Sequence, residues 1–364
     1  MSVLSAQAIV AVADPEPVVE EMCEHFSEDG AFITGRPGAR MVTFDFGSAS
    51  LTCTKGQLIV DVEADDLIEL YNFRWTMAQH IGEFAGTTDF EWTGAASDLR
   101  LPPYFRLLTV AAVQAITPHM KRVTFSGENL APFATDEELH IRLYLPRGDS
   151  TDAEWPSVGK NGIPKHPSGD RAPVLRRYTI RQVNLEEGTL DVDFVLHNDA
   201  GPGSAFAERA QIGGVIGMSG PGGGSCPIDR DWYLLAGDET ALPAIARMLE
   251  FLPSHARGIA LIEVAGKAEE QLLHTKADFA VRWLHRDRET NEGKSGLPTA
   301  VKAVAIPDDG SSYFVWFAGE FNAFREIRSY LRKDKGLKKQ QHLVVSYWRQ
   351  GEVEDAGEGQ HGQP

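Results

Sequence analysis

Three cysteines in 364 residues, Cys23, Cys53 and Cys226, are too few and too far apart for a disulfide framework. They also fall one short of the four thiolates of an all-cysteine iron–sulfur cluster. Such usage suits a reducing compartment. No apolar run approaches the roughly 20 residues that span a bilayer. The opening MSVLSAQAIVAVADPEP lacks a basic stretch and carries acids early, which argues against a secretory signal. A cytoplasmic protein is expected. Basic residues are in deficit, 35 Lys and Arg against 52 Asp and Glu, for a net charge of −17. A field of that sign repels nucleic acid and anionic membranes, so neither is expected as a partner. An anionic substrate would need a local basic island. The GxGxxG dinucleotide fingerprint and internal repeats are absent as well.

What is present is a chain with 42% hydrophobic and 24% charged residues, able to bury the cores of two or three domains. Residues 1–96 read as a small α+β unit in the order α-β-β-β-α. Between Ala6 and Trp92, a helical stretch carries Val18, Val19, Met22 and Phe26. Three short strands follow (MVTFDF, SLTCT, QLIVDVEA), then a second helix from about Asp65 to Phe84. Thr93 to Asp98 read as a linker. Between residues 104 and 227, six strand patterns separated by Gly and Pro turns predict a closed antiparallel β-barrel. Its loop from Arg147 to Ala172 is long enough to be functional or mobile. From 228 to 350, five apolar strands alternate with amphipathic helices, one of them short and near EEQLLH. That is the pattern of an α/β domain whose parallel sheet is covered on both faces. Residues 351–364 are acidic and Gly-rich, and are expected to be disordered.

Three constellations carry chemistry. In Arg176-Arg177-Tyr178-Thr179-Ile180-Arg181, a guanidinium that matches a pyrophosphate stands two residues before a ring that can stack on a flavin, and the Thr179 hydroxyl can donate to that flavin. An ordinary polar strand face would look similar. The run DFVLHNDAGPGSAFAERA ends a strand in a Gly-rich turn that opens a helix, a ready anion site; the plainer alternative makes Ser204 a simple N-cap. In LLAGDETALPAIARMLE, Gly237-Asp238-Glu239-Thr240 occupies the first strand-to-helix turn, where a doubly wound sheet holds a phosphate. Pro243 suits the first helical turn, and Glu239 reads as a first-turn helix acid.

The ordered set RxYTxR, DFVLH-x3-GP-x-S, LLAGDETALPAI, WLHR (Trp283 to Arg286), FVWFAGE and SYWR, spanning about residues 104–350, resembles the siderophore-interacting proteins. These are FAD-dependent ferric-siderophore reductases of the ferredoxin-reductase superfamily. The resemblance implies an FAD-binding barrel, an NAD(P)H-binding α/β domain, NADPH or NADH as donor, and a ferric siderophore as acceptor. By position it implies that Arg176, Tyr178, Thr179, Phe194, Val195, His197, Gly203 and Ser204 hold FAD. Trp348 would stack near the isoalloxazine. Gly237, Asp238, Glu239, Thr240, Ala318, Gly319 and Glu320 would line the nicotinamide cleft. Arg142 falls where the family carries a substrate cation. SGPGGGS (Ser219 to Ser225) and Leu343 offer none where some relatives do, so Lys338, Lys339 and Arg349 are the substitutes, unless they are solvated surface charge. Arg282, Arg286 and Arg288 are candidates for a 2′-phosphate. No catalytic acid or base is expected, because single-electron transfer to iron needs none. Two other readings stay open: a flavin reductase of the same fold serving free flavin, a haem protein or a quinone, and a non-enzymatic siderophore or iron binder.

Residues 5–94 resemble a small domain of uncharacterised function that sometimes precedes these reductases, through MCEHF, IVDVEADD and EWTG. Cys23, His25 and His80 invite a metal reading. Because Cys23 and His25 stand two apart on a helix and face different ways, no metal ligands are assigned. A core cysteine and a surface histidine are expected instead.

Overall fold

Burial that alternates along Leu4–Ala11 makes this segment a strand: Ala6, Ala8 and Val10 are buried while Ile9 is 51% exposed. The computed structural model describes residues 3–147, 153–197, 201–288 and 295–351. They divide into two compact units. The first begins with β1 (Leu4–Ala11), α1 (Pro15–Glu28), β2 (Phe32–Arg36) and β3 (Ala39–Phe44). It continues through β4 (Gly47–Thr54), β5 (Gln57–Ala64), α2 (Leu67–Ala85) and β6 (Trp92–Gly94). The strands form a six-stranded sheet, β2-β3-β4-β5-β1-β6, in which every pair is antiparallel. The class is α+β, but the order corrects the sequence reading: a strand from Leu4 to Ala11 precedes the first helix, and two further strands flank the expected set. On α1 the stripe Val19, Met22, Cys23 and Phe26 is buried at helical spacing. It packs with Leu70, Phe73, Met77 and Ile81 of α2 into one core. Asp66 caps α2 by accepting from the N–H groups of Ile68 and Glu69.

The barrel comprises β7 (Phe105–Thr117), β8 (Met120–Gly127) and β9 (His140–Leu145), then, beyond the short pair β10 (Ser157–Val158) and β11 (Pro164–Lys165), β12 (Val174–Asn184), β13 (Thr189–Val195) and β14 (Val215–Gly222). It closes in the order β12-β13-β8-β7-β14-β9 around Val110, Val123, Phe125, Leu143, Ile180 and Phe194. A helix, α3 (Pro202–Arg209), follows β13. The described part of the long loop, 153–172, belongs to the first unit, with residues 1–106. There Asn161 accepts from the Trp92 indole at its carbonyl (2.8 Å) and donates through its side-chain amide to the Thr88 carbonyl (2.9 Å).

The remaining elements are β15 (Trp232–Asp238), α4 (Leu242–Phe251), β16 (Arg257–Val264), β17 (Asp278–His285), α5 (Leu297–Lys302), β18 (Tyr313–Glu320), α6 (Phe321–Ser329) and β19 (His342–Trp348). All five strands are parallel, in the order β17-β16-β15-β18-β19. Every residue of β15 is buried. Tyr233 and Leu235 face the core that α4 closes, and Trp232, Leu234 and Ala236 face the core closed by α5 and α6, so the strand reads as a continuous apolar run. No helix forms over EEQLLH: a short 3₁₀ turn at Lys267–Glu269 precedes it, and Leu272 is 81% exposed. Residues 352–364, most of the expected tail, lie outside the described residues. Among the described residues no helix is long and apolar enough to cross a membrane.

Candidate functional site

Regular antiparallel pairing sets the faces of β12. Arg177 lies opposite Arg142 and Thr179 opposite His140 on β9, so these four share one face, while Arg176 and Tyr178 share the other. Tyr178 packs on Phe194, ring centroids 4.3 Å apart. It also lies against the first turn of α3, where a Cβ at Gly203 would come within 1.9 Å of its hydroxyl. Only glycine permits that approach. Gly201, not Ser204, is the N-cap of α3, and among the described residues no side chain caps the helix. Ser204 is buried and accepts from the His197 N–H at 3.1 Å. The first-turn N–H groups therefore remain for an anion.

On the opposite face Thr179 is buried, and its hydroxyl bonds that of Tyr347 on β19. Tyr347 also meets the Nε2 of His140. Burial, with Arg177 and Arg247 adding like charge, pushes His140 down to about 4, so its ring is neutral. Burial holds the Tyr347 phenol far above its usual range.

In the parallel sheet the chain runs outward through β16 and β17, then returns to the other side of β15 at β18. The carboxyl ends of β15 and β18 thus form the switch point where such sheets take ligands. Gly237 pairs with Ala318 there. Asp238 is buried and joins the corner: it accepts from the Trp348 indole (2.8 Å), the Glu320 N–H (3.1 Å) and the Thr240 N–H (2.9 Å) and hydroxyl (2.5 Å). Burial first, then the charge of Glu239, pushes Asp238 up to about 6. The Trp348 ring stands 6.3 Å from that of His197, so one side chain links the barrel site to the sheet site.

Residues 230–351 match the family model described as siderophore-interacting protein, and residues 109–225 match the siderophore-interacting FAD-binding domain. The chain is 32% identical over 257 residues to ferric vibriobactin reductase ViuB of Vibrio cholerae, covering 70% of this chain and 92% of that one. This chain is a siderophore-interacting protein. It is also 30% identical to the NADPH-dependent ferric-chelate reductase of Escherichia coli, over 69% of this chain and 94% of the relative. A solved siderophore utilization protein from T. fusca superposes with a TM-score of 0.58 at 33% identity, covering 69% of this chain and 95% of that structure. Residues 7–93 match a family described only as an uncharacterized protein conserved in bacteria.

In this siderophore-interacting protein, Arg176 shares the face of Tyr178, and the first turn of α3 lies against the Tyr178 hydroxyl. Among the described residues, a Cβ at Gly201 would meet nothing within 4 Å. The sheet side departs from the sequence reading in detail. Glu239 precedes α4, whose N-cap is Ala241, and is not a first-turn helix acid. It holds Arg286 through two bonds of 2.8 and 2.5 Å, and Arg286 reaches Glu263 as well. That guanidinium is committed within the fold. Arg282 is exposed, and the Arg288 side chain lies outside the described residues. The Glu320 carboxylate caps α6, accepting from the Asn322 and Ala323 N–H groups. Lys338 and Lys339 are exposed. Arg349 lies over the Phe321 ring at 4.6 Å.

Sequence reasoning missed Arg177, His140 and Tyr347. The strand alternation of RRYTIR and HIRLYLP held the clue for the first two, since the register that pairs them follows from barrel closure. Tyr347 precedes the tryptophan that was noticed and needed only the same attention.

Proposed function

We propose that the protein is an NAD(P)H-dependent, FAD-containing reductase of ferric siderophores that releases iron as Fe(II). The barrel, residues 104–227, holds FAD, and residues 228–350 hold the nicotinamide. The cross-strand pair Arg142 and Arg177 carries the choice of acceptor. Like charges directly opposite on a sheet repel, and these two stand on the Thr179 face in a chain of net charge −17. Two guanidinium groups on one face suit an anion, and many ferric chelates are anions. The names of the relatives from Vibrio cholerae and Escherichia coli support the same acceptor and donor.

In this reading Arg176 and the α3 turn bind the pyrophosphate, while Tyr178 and Trp348 orient the ring system. Phe194, Val195, His197, Gly203 and Ser204 shape the barrel side. Gly237, Asp238, Thr240, Ala318 and Gly319 line the nicotinamide side. The flavin, when bound, supplies hydride acceptance and single-electron delivery. Thr179 holds a proton at its hydroxyl for the flavin edge, fixed by Tyr347 and the neutral His140. Arg142 and Arg177, with the exposed Lys338, Lys339 and Arg349, attract the chelate. The three cysteines are unpaired, which suits a reducing, cytoplasmic setting.

Steady-state kinetics of Arg142→Glu and Arg177→Glu test the acceptor site. KM for an anionic ferric chelate should rise about tenfold or more, with little change for ferricenium, a cationic acceptor. An unchanged KM for the anion would remove both residues from the site.

A further inference from the structure

The first unit holds a cluster that the flavin reading does not use. His25 and Asp29, one turn apart at the end of α1, meet His80 of α2. His25 Nδ1 lies 3.1 Å from His80 Nε2 and 3.5 Å from Asp29 Oδ2, and the three donor atoms all fall within 4.8 Å of one another. Two metal–ligand bonds of about 2.0–2.1 Å at a tetrahedral angle separate their donors by roughly 3.3 Å, so the two short distances match edges of a coordination polyhedron. The ring of His80 is already set for this role. Its Nδ1–H donates to the Thr76 carbonyl at 2.8 Å, which fixes the tautomer and leaves the Nε2 lone pair pointing at His25, as outer hydrogen bonds do for metal-bound imidazoles. Phe26 packs on the His80 ring with centroids 4.4 Å apart, and Phe84 stacks on it from 6.2 Å. The C-terminal end of α1 adds the negative pole of its dipole. The exposure of His25 and Asp29 leaves open positions for water or a further ligand.

We propose that His25, Asp29 and His80 bind a divalent first-row transition ion such as Zn(II) or Fe(II). Two imidazoles and one carboxylate suit these ions better than Mg(II) or Ca(II), which prefer all-oxygen sets. Cys23 is not a ligand: it is buried in the core, and burial together with Glu20 pushes its thiol up to about 11. The site lies wholly within residues 1–94 and stands whether or not the chain reduces a ferric chelate.

Titration calorimetry of the full-length, chelator-stripped protein with ZnCl₂, and anaerobically with Fe(II), tests the site. The wild type should take up one ion that His25→Ala and His80→Ala each weaken at least about tenfold, and that Mg(II) does not displace. Asp29→Asn should weaken it less, and far-UV circular dichroism should show each variant folded. Binding should weaken in acid, where protons compete for the ligand atoms. Absence of binding by the wild type, or the same affinity in a folded His25→Ala/His80→Ala variant, would overturn the proposal.

Discussion

At Gly203 a single missing methyl decides how Tyr178 sits. An alanine there would drive into the tyrosine hydroxyl, and overpacking of this kind costs on the order of 1–3 kcal/mol. Gly203→Ala should therefore lower FAD affinity about tenfold or more, measured as the flavin retained on gel filtration, with the α/β core unaffected. Asp238 offers a pH test. Its folded pKa, raised from 3.8 to about 6, means that the folded state binds this proton more tightly than the unfolded state does. Its ionisation thus opposes folding, and the stability it contributes declines as pH rises from about 4 to about 6. Because its carboxylate accepts from Trp348, tryptophan emission should titrate with a midpoint near 6. Asp238→Asn should abolish that transition. A midpoint that survives the substitution would show that another group is responsible.

At the scale of elements, α4 is fastened to the barrel strand that carries the flavin grip. Arg247 is buried and donates to the carbonyls of Ile180 (3.0 Å) and Thr135, and Arg181 grips Glu250 through bonds of 3.0 and 2.6 Å. Removing the Arg247 guanidinium leaves buried carbonyls unpaired, at a cost of about 2–4 kcal/mol. Arg247→Ala should lower the denaturation midpoint of the FAD and NAD(P)H domains together, and a change under about 0.5 kcal/mol would contradict the role given to this residue.

The elements also show what the sequence could convey. Strands with clean alternation or continuous apolar runs, such as LDVDFVLH and WYLLAGD, were legible because burial on one face or on two writes itself into the residue types. In β1 the inward residues are Ala6, Ala8 and Val10, two of them too small to mark a strand. The edge strand β2 buries little, with Phe32 70% exposed, and β6 is three residues long and exists by pairing with β1. EEQLLH mimicked a helix, yet its Leu272 packs on nothing. At the site, RRYTIR and the GPGS turn were readable as motifs. The fates of Glu239, Arg286 and Glu320 were not, because a carboxylate at a strand end looks the same whether it meets a ligand, an ion-pair partner or a helix terminus.

Over the whole molecule, a chain of net charge −17 presents a basic cross-strand pair on one barrel face. Attraction of an anionic chelate to that face must work against the global field, so the association rate should depend weakly on ionic strength unless the local pair dominates. The central claim is electron flow from nicotinamide to a ferric siderophore. It is tested most directly by an anaerobic stopped-flow experiment on the purified flavoprotein with ferrozine present. NADPH or NADH should bleach the flavin absorbance, and a ferric siderophore added next should restore it while the Fe(II)–ferrozine colour rises at two irons per flavin. A protein without flavin affinity, or a reduced flavin that the ferric siderophore leaves bleached with no Fe(II) formed, would contradict the account.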